Sequence, residues 1–282
     1  MKPPVFFIHG MWSTPAVFAR LRSRLEVAGH ATYAPALPFH DRPPDAAPSP
    51  ELGLMSVDDY INFLVAEVAR LPTAPVIAGH SMGGFLAQAV AARTGALGLI
   101  LFSPAATAAT NVPAFAPLRT MAGVITKPRW WERPTRIDAA RARWGIYNEA
   151  PSDIADAEIA ALVWDSGRVL YEMALPFVAK TGSNVVDHTR LTMPALIVTG
   201  DRDRITPASI ARATARKIAG PVDYHELSGV GHWLWWGAVE ERIGGIVEDW
   251  LAGLPDSKYP DAIAGSLSDN VMIEDSKQPP VP

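Results

Sequence analysis

Cysteine is absent from the 282 residues. That excludes a disulfide framework and a thiolate metal site, and leaves any nucleophile to Ser, Thr, Asp, Glu, Lys, His or Tyr. No apolar run reaches the about 18 residues of a membrane helix, so no span is expected. The first residues, Met1-Lys2-Pro3-Pro4-Val5-Phe6-Phe7-Ile8-His9, hold too short an apolar run for a signal h-region, and no small-residue cleavage site follows it. The expectation is a soluble, cytoplasmic protein. Charge of one sign is also lacking. Lysine plus arginine number 25 against 29 Asp plus Glu, and no block of five or six like charges occurs. A nucleic-acid binder would carry a basic patch, so no nucleic-acid partner is expected. No internal repeat is visible.

What is present is enough apolar sequence for a large core, 49% of residues, in a length that suits one elaborated domain or one domain with an insertion. Short apolar runs alternate with amphipathic ones. Residues 5–8 read as a strand, 14–28 as a helix with Val17, Phe18, Leu21 and Leu25 on one face, and 31–37 as a second strand. A proline-rich loop, 38–50, precedes a helix over 56–71 with Ser56 as its N-cap. Strand 75–78, helix 82–93 and strand 97–102 follow. The rhythm resumes with strand 195–199, helix 207–218, strand 222–227 and helix 239–251. Strands apolar throughout, alternating with helices, predict an α/β fold with a doubly wound, mostly parallel sheet covered on both faces. Between the halves, Trp130, Trp131, Trp144 and Trp164 fall among short helical patterns and prolines, and no strand is expected. The predicted organisation is a core of residues 1–106 and 191–254, a helical cap or lid insertion at 107–190, and a C-terminal tail at 255–282. The tail, rich in Pro, Ser, Asp and Lys, reads as solvated.

The chemistry centres on Gly79-His80-Ser81-Met82-Gly83. G-x-S-x-G is a weak pattern alone. Its context, an apolar strand before and a helix after, makes it a nucleophile elbow with Ser81 on a sharp strand-to-helix turn. The nucleophile needs a strained backbone to project its oxygen, and flanking side chains would collide with the neighbouring elements. The helix N-terminus behind Ser81 favours developing negative charge. A serine hydroxyl needs a base. Of seven histidines, His232 stands in the glycine-rich loop Gly229-Val230-Gly231-His232-Trp233, after the last strand and before the last helix. In this architecture that loop lies at the carboxyl edge of the sheet, near the elbow. The imidazole in turn needs an acid. The run Thr199-Gly200-Asp201-Arg202-Asp203 places two aspartates past a strand. Asp203 is favoured, with Asp201 the alternative, more suited to organising the turn or pairing with an arginine. The segment after strand 97–102, Ser103-Pro104-Ala105-Ala106, holds no carboxylate.

The order Ser, Asp, His and the motifs His9-Gly10, Gly79–Gly83 and the Asp203 and His232 loops resemble the α/β-hydrolase superfamily, in its capped, esterase/lactonase-like (hydrolase-1 type) branch. The resemblance covers about 5–251 apart from the insertion. It implies an α/β-hydrolase fold with a helical cap inserted after the sixth-strand position, and a catalytic triad of Ser81, Asp203 and His232. It implies an oxyanion hole from two backbone amides, Met82 after the nucleophile and Met11 after the first strand. Trp12 and Trp233 adjoin these positions and are the candidate substrate-binding residues, within a broad apolar pocket. The implied activity is hydrolysis of a small to medium hydrophobic ester or lactone through an acyl-enzyme, with no cofactor and no metal. The implied partner is that substrate, and the assembly a monomer or homodimer. Amide or carbon–carbon bond hydrolysis, acyl transfer, or a slow-turnover ligand receptor are the alternatives on the same scaffold. The terminal Pro-Pro-Val-Pro also permits a polyproline II docking role.

Overall fold

The computed structural model describes residues 2–112, 115–174, 182 and 184–254. The predicted tail, 255–282, lies outside the described residues. Six parallel strands form the main sheet: β1 (Val5–Ile8), β2 (Thr32–Tyr33), β3 (Val76–His80), β4 (Gly98–Phe102), β7 (Ala195–Gly200) and β8 (Val222–Leu227), in the order β2-β1-β3-β4-β7-β8. A parallel sheet covered on both faces needs apolar side chains on both sides of every inner strand, and β1, β3, β4 and β7 are buried along their whole length.

Alternate residues of these strands serve two separate cores. Val5, Phe7, Ile100, Phe102, Leu196 and Val198 join Leu21 and Leu25 of helix α1 (Ala19–Val27) and Ile243, Val247 and Leu251 of helix α9 (Gly237–Ala252). Phe6, Ile8, Leu99, Leu101 and Ile197 turn the other way. They meet α2 (Val57–Ala69), α3 (Met82–Thr94) and α8 (Ala208–Lys217). The two-residue period of a strand thus sorts one apolar run into two faces, and the doubly wound architecture follows.

The strand predicted over 31–37 shrinks to Thr32–Tyr33, paired with Val5 and Phe6. Pro35 and Pro38 lack the N–H that a ladder needs, so the edge strand ends early. The expectation of no strand in the insertion is corrected. Beside helices α4 (Phe115–Ile125), α5 (Ala139–Gly145), α6 (Ser152–Ala160) and α7 (Gly167–Ala174) lies an antiparallel pair, β5 (Pro134–Thr135) with β6 (Asp165–Ser166). Two residues per strand are too few to leave an alternation signal. Among the described residues no helix is long and apolar enough to cross a membrane.

The sheet order reverses at β1. The chain passes from β1 to β2 on one side and returns to β3 on the other. Loops leaving the carboxyl ends of β1 and β3 therefore diverge and open a crevice, the usual ligand position in such sheets.

Helix α2 opens with a reciprocal cap. Ser56 Oγ accepts the Asp59 N–H at 3.1 Å, and the Asp59 carboxylate accepts the Ser56 N–H at 2.8 Å. Ser56→Ala is expected to cost about 1 kcal/mol of unfolding free energy, read from urea denaturation. The Ser56 hydroxyl and N–H hold the Asp59 pKa below its ordinary value. The contribution is therefore present at neutral pH and disappears as acid protonates Asp59.

Candidate active site

Ser81 stands between β3 and α3 with φ 56° and ψ −121°, in the left-handed half of backbone space where a non-glycine residue is strained by about 1–3 kcal/mol. The surroundings hold it there. Its N–H donates to the Phe102 carbonyl at 3.0 Å, and its carbonyl accepts from Gly84 and Ala105 at 2.9 and 2.8 Å. The flanking glycines are sterically required. A Cβ on Gly79 would lie 2.1 Å from the Gly83 carbonyl oxygen, and one on Gly83 would lie 2.0 Å from that of Ile8. Met82, the first residue of α3, is one of the positions whose amide has no intrahelical acceptor. The loop after β1 passes close by, since a Cβ on Gly10 would lie 3.1 Å from Ser81 Cβ.

Asp203 follows β7 and His232 follows β8. The structure pairs them, His232 Nδ1 donating to Asp203 Oδ2 at 2.7 Å with both residues buried. A carboxylate only accepts, so Nδ1 carries the proton in this bond. Asp203 is itself oriented. Its Oδ1 accepts the N–H groups of Ile205 and Thr206 at 2.9 and 2.7 Å. The Thr206 hydroxyl lies 2.9 Å from Asp203 Oδ2, 3.0 Å from His232 Nδ1 and 2.9 Å from the Ser103 carbonyl. Asp201 does other work. It is exposed and ties the β8 turn by accepting from Gly229 N–H at 2.8 Å and Ser228 Oγ at 3.2 Å.

Two further histidines border the site, both held neutral. His80 donates Nε2–H to the His232 carbonyl at 3.1 Å, and its ring centroid is 4.8 Å from that of His232. Burial first, and the nearby His232 second, push its pKa down to about 3. His9 donates Nδ1–H to Gly10 O at 3.0 Å and accepts the Leu37 N–H on Nε2 at 3.1 Å. Burial and then His40 push its pKa down to about 3 as well. In His9 both ring nitrogens are engaged, so that ring has no free lone pair.

Ser81, His232, Met11, Trp12 and Trp233 line one cavity of about 50 Å³. Met82 is buried beside it at the elbow. The broad pocket expected from the tryptophans is corrected to a narrow one. Trp235 packs edge-on against Phe18, Phe102 and His80 in the core. Trp144 stacks with Arg119 and Arg204, and Trp164 with Arg136. The insertion lines the cavity with Met121, Ile146, Tyr147 and Leu162 instead. A larger open groove, about 630 Å³, lies between Pro194, Pro221 and Trp250. It flanks the starts of β7 and β8, at the sheet edge opposite Ser81, and no serine or threonine lines it. Among the described residues no three His, Asp or Glu side chains are grouped to hold a metal ion.

Three residues near this site escaped the sequence reading. Thr206 was legible only as a residue before a helix-starting proline. His40 lies in the proline-rich loop and Asp165 in the insertion. No local pattern marks either one, because their partners are more than 100 residues away or on separate elements.

The α/β-hydrolase family model matches residues 5–242. No curated protein matches the sequence. Among solved structures, the chain is similar to a pyrethroid hydrolase from Sphingobium faniae JZ-2 (20% identity, TM-score 0.68, covering 90% of this chain and 98% of that one). A methylesterase from Arabidopsis (12% identity, TM-score 0.64, 88% and 98% covered) also shares the fold. So does a monoacylglycerol lipase from Paleococcus ferrophilus (20% identity, TM-score 0.60, 90% and 97% covered). With the family model spanning both halves of the sheet, the elbow and the Asp203 and His232 loops, the chain belongs to the α/β-hydrolase family.

Proposed function

We propose that the protein is a serine hydrolase of small to medium hydrophobic esters or lactones, with Ser81, His232 and Asp203 as its triad. The observation that carries this is the buried Asp203–His232 pair at 2.7 Å, with His232 and the strained Ser81 on one cavity. Nδ1–H directed to Asp203 leaves Nε2 to take the Ser81 hydroxyl proton as Oγ attacks the carbonyl. The neutral state of His80 matters at that step. A cation 4.8 Å from the His232 ring would oppose the imidazolium that must form. Asp203, fixed by two amides and Thr206, stabilises the imidazolium without moving.

The oxyanion is received by the amides of Met82 and Met11. The Trp12 amide is already committed to Asp165 at 3.0 Å, so Met11 is the amide of that loop left to serve. His232 then returns its proton to the leaving alkoxide. Water, activated by the same base, releases the acid from the acyl-enzyme. No cofactor enters this sequence. The insertion acts as a cap over residues 107–190, on a core of 1–106 and 191–254. Its apolar side chains and Trp12 and Trp233 exclude water and hold a hydrophobic substrate. The methylesterase and the monoacylglycerol lipase among the similar solved structures support ester chemistry as the class.

Ser81→Ala is expected to lower kcat/KM on p-nitrophenyl esters by at least about 10⁴-fold with an unchanged melting temperature. Equal turnover in the mutant would remove Ser81 as the nucleophile. The narrow cavity leads to faster turnover of acetyl and butyryl esters than of long acyl chains across a p-nitrophenyl series. Thr206→Val keeps the shape but removes a hydroxyl shared by Asp203 and His232. It is expected to lower kcat about tenfold, the value of roughly 1.4 kcal/mol for a hydrogen bond to a charged group. Asp203→Asn is expected to lower kcat by about 10⁴-fold through the wrong His232 tautomer.

A further inference from the structure

The main departure from ordinary backbone geometry in the β1 loop is Trp12, with φ 59°. An aromatic residue resists this conformation. Both peptide groups flanking it are held by the insertion: its N–H donates to Asp165 Oδ2 at 3.0 Å, and its carbonyl accepts the Val163 N–H at 2.9 Å. Its side chain is buried, so the clamp is dry.

Asp165 plays no part in the proton path, yet it is wholly buried and crowded with donors. Its Oδ1 accepts from the Tyr60 hydroxyl at 2.9 Å and from the Ser166 N–H at 2.6 Å. Its Oδ2 accepts from Trp12 and lies 3.0 Å from His40 Nε2, an ion pair rather than a well-aligned hydrogen bond. His40 Nδ1 faces the Pro38 carbonyl at 3.0 Å, so both ring nitrogens lie near acceptor oxygens. Burial opposes the charge on His40, and the Asp165 carboxylate outweighs it and raises the pKa. Burial likewise opposes the charge on Asp165. His40 and the two amides outweigh it and lower that pKa.

Such a pair is a poor way to gain stability. Desolvating two charges offsets most of their attraction, and a packed apolar pair often serves as well. Its geometry points elsewhere. Three separate segments converge on one carboxylate, and the group they immobilise is the peptide next to Met11. The neutral His9 stacks 5.1 Å from His40 and pins the start of the same loop. We infer that Asp165 is a positioning residue for the oxyanion hole. Its carboxylate, held by Tyr60 and paired with His40, keeps Trp12 in the left-handed conformation that presents the Met11 amide to the substrate carbonyl. The inference rests on the serine-hydrolase reading above. It makes the insertion a working part of catalysis as well as a cover.

The test uses the full chain as wild type, Ser81→Ala, Asp165→Asn, Asp165→Ala and Tyr60→Phe. Three readouts are taken per folded molecule: the rate at which a fluorophosphonate labels Ser81 by intact mass, kcat and KM on p-nitrophenyl butyrate, and inhibition by an arylboronic acid. Asp165→Asn keeps the shape, but whichever way the amide points, one pair of donors loses an acceptor. The expected losses in kcat and labelling rate are about tenfold for Asp165→Asn and about 100-fold for Asp165→Ala, with KM within about threefold. Boronate affinity is expected to fall in parallel, because the bound boronate mimics the tetrahedral oxyanion. Tyr60→Phe, which removes a single hydrogen bond, is expected to lose a few-fold and tests the network if Asp165→Ala fails to fold. Lowered melting temperatures with wild-type kcat, labelling and boronate affinity would overturn the positioning role and leave a structural one. Failure of the wild type to label, or equal labelling of Ser81→Ala, would instead bring down the serine-hydrolase reading, and this inference with it.

Discussion

Every reactive contact in this protein depends on how closely the β3–α3 turn approaches the end of β1. At Gly83 the gap to the Ile8 carbonyl is too small for a single extra carbon. At Gly10 the returning loop lies against the Ser81 side chain. This approach is possible because β1 and β3 are adjacent at the reversal of strand order, so that their loops part above them and leave room for a substrate. The strain at Ser81 is the local consequence. The Phe102 and Ala105 hydrogen bonds, which come from β4 and the segment after it, hold the strained residue in place.

Around that fit the protein sorts its buried histidines by charge. His9 and His80 are neutral, because burial and a neighbouring histidine work against their charge, and at His9 these outweigh the more weakly felt Asp165. At His40 the pKa is raised instead, because the Asp165 carboxylate does answer it. His232 pairs through Nδ1 with the Asp203 carboxylate and shares a cavity with Ser81. One residue type is thus shifted in opposite directions within a small volume, and the neighbours of each ring decide which.

The insertion is bonded to three of the four loops that bear the proposed machinery. Val163 and Asp165 hold Trp12 after β1, Asn148 Nδ2 donates to the Arg202 carbonyl after β7 at 3.0 Å, and Ile146 O accepts the Trp233 N–H after β8 at 3.1 Å. These contacts explain why the cavity is narrow. The insertion brings side chains down onto the sheet edge rather than arching over it. They also give it a means to influence reactivity through backbone position, apart from its choice of lining residues.

Much of this was readable beforehand, for physical reasons that differ between parts. The inner strands appear in the sequence because burial on both faces demands continuous apolar runs, and the predicted β1 matches the observed one residue for residue. Ser81 was legible because its strained turn restricts the neighbouring positions to glycine. Asp203 and His232 were legible because strand ends in a parallel sheet place their loops at one edge. Asp165, His40 and Tyr60 left no such trace. Their pairing depends on where the insertion folds back, and a carboxylate 105 residues from its tyrosine partner has no local pattern to announce it. The sequence by itself determined the fold class and the strained turn that bears Ser81, since both impose short-range restrictions on residue type. The size of the cavity, the charge of each histidine and the fixing of the Trp12 peptide were decided only by tertiary structure, because each is a property of groups that meet in space from distant parts of the chain.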